Sequence, residues 1–204
     1  MTEFIAARRA AFVIALTLVF VTVIATQSAS AHTDGTLAGG FVTGFTHPIL
    51  GWDHVAAMVA VGLWGAFLGS PAIWILPVVF PLVMALGAAA GVLGIPLPGV
   101  EIGIAGSAVV LGLLILFGAR LPLWAAAVIV GVFAVFHGYA HGIELPDATN
   151  PIAYGVGFVL ATGLLHMLGI AFGLLVRWPA GTMAVRAGGA LVSLVGVGFL
   201  VGFF

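Results

Sequence analysis

The sequence predicts an all-α fold: a polytopic membrane helix bundle of six transmembrane helices after an N-terminal signal peptide. Three observations lead there. With 63% hydrophobic residues, 5% charged residues and a mean hydropathy of +1.35, the chain has too little charge for an ordinary water-facing surface. The apolar residues fall into runs close to the ~20 needed to cross a bilayer, separated by proline and glycine punctuation. The 30 glycines allow close helix contact where lipid gives apolar helices no reason to associate.

Taken in order, the first segment carries Arg8 and Arg9, an apolar run from Ala10 to Ala25, and a small-residue ending, Ala29-Ser30-Ala31. That is the layout of a secretory signal peptide over residues 1–31, and the run is short for an anchor helix. Cleavage there would make His32 the first residue, where its amine and imidazole can chelate a divalent cation beside Asp34. A polar stretch, "HTDGTLAGG", fills 32–40. Spans are then expected at 47–69, 72–95, 102–119, 122–143, 151–176 and 184–203, giving one transmembrane domain over 32–204. "SP", "PLPG", "ARLP", "LPDATNP" and "RWPAG" separate them and end helices. With the mature N-terminus outside a bacterial inner membrane, Arg120, Arg177 and Arg186 fall on the cytoplasmic side. Asp34, Glu101, Glu144 and Asp147 then make the outer mouth acidic, which draws cations. Pro77 and Pro81 fall inside the second span and read as ordinary membrane-helix irregularity. Trp52, Trp64, Trp74, Trp124 and Trp178 fall mostly near span ends and read as interfacial anchors.

Composition also narrows the chemistry. The absence of cysteine removes disulfides, thiolate ligands and thiol redox chemistry. Five arginines without a lysine form no basic patch, so no nucleic-acid partner is expected. No G-x-x-x-x-G-K-[ST] motif is present, so ATP does not drive this chain by itself.

Five of the six histidines and Asp53 lie within the predicted spans or at their edges. A charged group inside a span costs about 2.5 to 3.5 kcal/mol on insertion scales and persists where it meets a partner or a water-filled path. In the first span His47 and His54 are seven residues apart, on nearly one face but ~10 Å apart along a regular helix. His47-Pro48 and Gly51 offer an irregular backbone that lets the segment before Trp52 fold over and bring His47 closer. Asp53, His54, Met58 and His47 are the candidate ligands there. In the fourth span His137 and His141 are at i, i+4 with Glu144 three residues on, a stripe suited to gripping one ion. His166 lies ~22 Å into the fifth span, where a lone histidine is more often bonded to a neighbouring carbonyl.

The run His47-Pro48-Ile-Leu-Gly51-Trp-Asp53-His54-Val-Ala-Ala-Met58-Val-Ala-Val-Gly62 resembles the H-P-x-x-G-x-D-H-x-x-x-M-x-x-V-G signature of the HupE/UreJ family. Phe136-His137-Gly138-Tyr-Ala140-His141-Gly142-Ile-Glu144-Leu-Pro146 is similar to that family's second motif, and the resemblance spans the whole chain. It implies a six-span nickel permease with Asp53, His54, His137, His141 and Glu144 as functional residues. It also implies supply to hydrogenase or urease maturation.

The residues therefore point to a secondary transporter or facilitator, not an enzyme, for a divalent transition metal. Ni2+ is expected as cargo, with Co2+ or Zn2+ as alternatives, through a path of His32, His47, Asp53, His54, Met58, His137, His141, Glu144 and His166. A membrane metalloenzyme with Glu144 as base is the main rival, although no H-E-x-x-H is present. Bis-histidine haem ligation is the other. The partners expected are the cation and the lipid bilayer, and a homo-oligomer is compatible with the sequence.

Overall fold

The computed structural model describes residues 37–145 and 150–203, so the signal segment, His32, Asp34 and Asp147 lie outside the described residues. The described part is helical throughout. In chain order the helices are α1 (Leu37–Leu50), α2 (Trp52–Leu68), α3 (Ala72–Val92), α4 (Val100–Leu116), α5 (Leu123–Ile143), α6 (Pro151–Gly173) and α7 (Pro179–Leu200), with a 3-10 turn at Leu174–Arg177.

Helix boundaries follow local chemistry. Gly69 at φ 85 and Gly118 at φ 66 close α2 and α4 with left-handed backbone that residues bearing a Cβ rarely adopt. Pro151 opens α6 at a position whose N–H would be unpaired in any case, and the Asn150 side chain caps it by accepting from the Ala153 amide at 3.0 Å.

Among the described residues, α3, α5, α6 with its 3-10 turn, and α7 are long and apolar enough to cross a bilayer. The pair α1 and α2 passes the same test taken together, bent by 79° at Gly51. At 17 residues α4 is shorter, about 25 Å at 1.5 Å per residue. On α3 one face buries Leu76, Phe80 and Met84, while Trp74, Val78, Leu82 and Leu86 stay exposed. An apolar outer face of that length suits acyl chains, not water.

Two sequence expectations change. Residues 37–46 read as the end of a polar stretch and the approach to a span, yet α1 begins at Leu37 and forms a helix of its own. The reason is packing: a side chain at Gly40 or Gly44 would run into the backbone of Asn150 or Tyr154, so these glycines let α1 lie against α6. Trp64 was expected at the interface but is fully buried, its indole Nε1 donating to the Ala119 carbonyl at 3.2 Å. Trp74, Trp124 and Trp178 are exposed, as anchors must be.

The core lies around α2, which buries eleven of its 17 residues. Close approaches at glycine fix the helix directions. Gly62 meets the His166 carbonyl and Gly173 meets Ala66, so α2 and α6 run the same way. Gly138 meets the Met84 carbonyl and Gly142 that of Ala88, so α3 and α5 also run in parallel. Gly112 faces Gly189 while Gly196 faces Ala105, so α4 and α7 are opposed. Charge separates along the bundle. Arg120 lies over Phe67 and Arg186 donates to the Leu116 carbonyl, both at the carboxyl ends of α2 and α4, while Asp53, Glu101 and Glu144 collect at the other end.

Candidate metal centre

Three helix termini meet at the acidic end. Gly51 breaks the chain between α1 and α2, so that His47 in the last turn of α1 folds back onto His54 in the first turn of α2. The fold-over that His47-Pro48 and Gly51 suggest is thus present. The carboxyl end of α5 brings His141 to the same place. Carboxyl ends carry partial negative charge and favour cations; the amino end of α2 carries the opposite sign, and Asp53 sits there in its first turn.

His47, His54 and His141 each offer one ring nitrogen, and the three atoms lie within 4.8 Å of one another. His54 and His141 face each other through their Nε2 atoms at 2.8 Å. His47 packs its ring 4.9 Å from His141 and 5.8 Å from His54, centroid to centroid. His137, one turn earlier on α5, places its ring 5.2 Å from that of His54. His54, His137 and His141 are buried.

Hydrogen bonding assigns the ring protons. Asp53 Oδ1 accepts from the His54 backbone amide at 2.8 Å and from His54 Nδ1 at 2.6 Å, which leaves Nε2 of His54 as a lone pair. This carboxylate–imidazole pairing is the arrangement that orients metal-ligating histidines. His141 then donates from Nε2 to His54, and its Nδ1 is buried without a partner. Ser107 commits its single proton to the Ile104 carbonyl at 2.5 Å, so its oxygen accepts from His137 Nε2 at 3.0 Å. Nδ1 of His137 is consequently a bare lone pair, also buried and unpartnered. A cation held between two imidazoles at ~2.0–2.1 Å and a tetrahedral angle needs nitrogens about 3.3 Å apart, a small opening from the 2.8 Å seen here, with the His141 proton moved from Nε2 to its unpartnered Nδ1.

A cleft of about 210 Å³ leads to this group, lined by Asp53, His54, Glu101, Glu144 and apolar side chains that include Phe199. Glu144 Oε2 is 3.8 Å from His47 Nε2. Away from the cleft, the histidine group packs against aromatic side chains. Phe158 of α6 presents its ring to His141 at 4.4 Å, and Tyr154 stacks on Phe158 while facing His47.

The structure thus brings together His47, Asp53, His54, His137, His141 and Glu144. Met58 is fully buried in the core, outside the three-imidazole group, and His166 stands apart beside Phe80. His32 is not among the described residues. Sequence reasoning missed Ser107, Tyr154 and Phe158. Ser107 sits in a run of small residues and Phe158 in an apolar one, and neither bears a local signal.

A family model described as "HupE / UreJ protein" matches residues 17–199 of the chain. Protein HupE of Rhizobium leguminosarum bv. viciae is 46% identical over 179 residues, which is 88% of this chain and 91% of that protein. No solved structure matches.

Proposed function

Since the chain belongs to the HupE/UreJ family, we propose that it carries a divalent transition-metal ion, nickel first, into the cell through the bacterial inner membrane as a secondary transporter or facilitator. Cobalt or zinc are the alternative cargoes. In this reading residues 1–31 are a cleaved signal peptide and the mature N-terminus is outside. The six spans are the bent α1–α2 pair followed by α3, α4, α5, α6 and α7. The acidic end is then the outer end, and hydrogenase or urease maturation consumes the metal.

The observation that carries the reading is the convergence of three imidazoles within 4.8 Å, one of which, His54, lines an acidic cleft. Glu101 and Glu144 concentrate hydrated cations at the mouth. Neutral imidazoles replace water on the ion, and Asp53 holds His54 in the tautomer whose Nε2 accepts it. Nitrogen donors favour nickel, cobalt or zinc over magnesium and calcium, which prefer oxygen cages.

Radiolabelled nickel uptake into proteoliposomes tests the proposal. The wild type is expected to accumulate nickel, and His54→Ala to lose about 100-fold or more of the initial rate. Equal accumulation in protein-free vesicles rejects transport, and undiminished uptake in His54→Ala rejects the site.

A further inference from the structure

The stripe of α6 that walls the histidine group continues below it. Tyr154, Phe158, Thr162 and His166 follow one another at i+4 and all are buried, so they share one inward face. Phe158 touches His141. Two turns further, His166 lies roughly 12 Å deeper along the helix axis. The same depth follows independently from α2, because Gly62, eight residues past His54, meets the His166 carbonyl.

His166 and Thr162 are both polar and nearly or wholly enclosed, with Nε2 of His166 and Oγ1 of Thr162 lacking any hydrogen-bond partner. Buried polar groups in native proteins are almost always paired, so two orphans one turn apart on one face call for a ligand. Proline chemistry offers His166 an acceptor. Pro81 has no N–H to give to the carbonyl four residues back, which belongs to Pro77. That free carbonyl faces the His166 ring and favours a proton on the nitrogen nearest it. Nε2, buried without a partner, is then the lone pair. Because α2 and α6 run in parallel with Gly62 level with His166, the buried thioether residue Met58 is level with Thr162.

Phe80 separates this place from the histidine group. Its ring is fully buried, 5.6 Å from the ring of His137 and 5.6 Å from that of His166, centroid to centroid. Each of those two rings carries one unpartnered nitrogen, Nδ1 of His137 and Nε2 of His166. Phe80 stands between Pro77 and Pro81, where the helix has lost two of its backbone donors and yields most readily.

We infer that His166 Nε2 and Thr162 Oγ1 form a second, inner station for the same divalent cation, closed off from the outer histidine group by the Phe80 ring. The inference rests on the transport reading above. A cation leaving His137 passes Phe80, takes the imidazole of His166 and the hydroxyl of Thr162, and continues toward the arginine end. Imidazole plus hydroxyl, with a thioether at the same level, suits a late first-row divalent ion.

The test uses the tag-free full chain in detergent, titrated with NiCl2 by calorimetry, with proteoliposome uptake in parallel. Asparagine at His166 places an amide where Nδ1 now faces Pro77 and removes Nε2, so His166→Asn separates packing from ligation. Thr162→Val removes only a hydroxyl that bonds nothing, so its fold is not at risk. The wild type is expected to bind one more equivalent of nickel than His166→Asn, with the remaining site unchanged. Uptake by His166→Asn is expected to fall about tenfold or more, and nickel affinity of the inner site in Thr162→Val severalfold. Wild-type stoichiometry and uptake in both variants overturn the inner station while leaving the outer site standing, provided that His54→Ala still abolishes uptake. Absence of any nickel binding or uptake by the wild type overturns both.

Discussion

His54 and His166 lie on helices packed side by side, roughly 12 Å apart in depth, and each is surrounded in a different way. Around His54 every imidazole has a neighbour that could share an ion with it: Asp53 at 2.6 Å, His141 at 2.8 Å, and His47 and His137 in ring contact. Around His166 there is one backbone carbonyl, one silent hydroxyl and the ring of a phenylalanine. A dense group at a charged mouth can strip water from an ion and hold it. A sparse one releases it. A conduit needs both, since a cation bound equally firmly along its length would not move.

The contrast can be broken at the dense end first. Asp53→Asn removes the carboxylate that fixes the His54 tautomer while leaving His166 untouched. Nickel affinity of the outer site should drop about 10- to 100-fold, with the inner equivalent retained in the calorimetric titration. Loss of both sites together would show that the two regions are one cooperative unit.

Next in size is a change in the frame that holds the two regions in register. A Cβ at Gly138 would collide with the Met84 carbonyl, so Gly138→Ala pushes α5, and with it His137, away from the helix that carries Phe80. We expect a loss toward 3 kcal/mol of stability, read as a lowered melting temperature in detergent, because backbone atoms do not give way as side chains do. A variant as stable as the wild type would mean that α3 and α5 are free to separate.

The smallest effect belongs to Ser107→Ala. It leaves the His137 Nε2 proton without an acceptor, at a cost of about 1 kcal/mol. It also frees the ring to adopt the tautomer that hides its lone pair, so uptake should slow severalfold while equilibrium binding at the outer group changes little. An unchanged rate would remove His137 from the route past Phe80.

Much of the dense region is legible in the sequence, and little of the sparse one. The i, i+4 spacing of His137 and His141, the adjacency of Asp53 and His54, and a breakable backbone at Gly51 are local patterns, and local geometry turns them into a site. Glycine is where reading failed at α1. Gly39 and Gly40 close the polar stretch in the sequence, yet Gly40 and Gly44 mark contact with α6, because one missing Cβ serves a flexible turn and a tight helix crossing alike. Trp64 failed for a related reason: its place in the sequence suggested an interface, and only tertiary packing supplies the Ala119 carbonyl that lets it be buried. Phe80, Phe158 and Ser107 acquire meaning solely from the helices opposite them. Pro77 and Pro81 read as ordinary irregularities in the sequence, and only the fold sets the free Pro77 carbonyl against His166.

X-ray absorption at the nickel K edge on the tag-free protein, loaded with one equivalent of nickel, probes the imidazole group most directly. A shell containing imidazole nitrogen, with ring scattering that weakens by one histidine in His141→Ala, is the expected result. A shell of oxygen alone, identical in the wild type and in His141→Ala, would contradict metal capture by His47, His54 and His141.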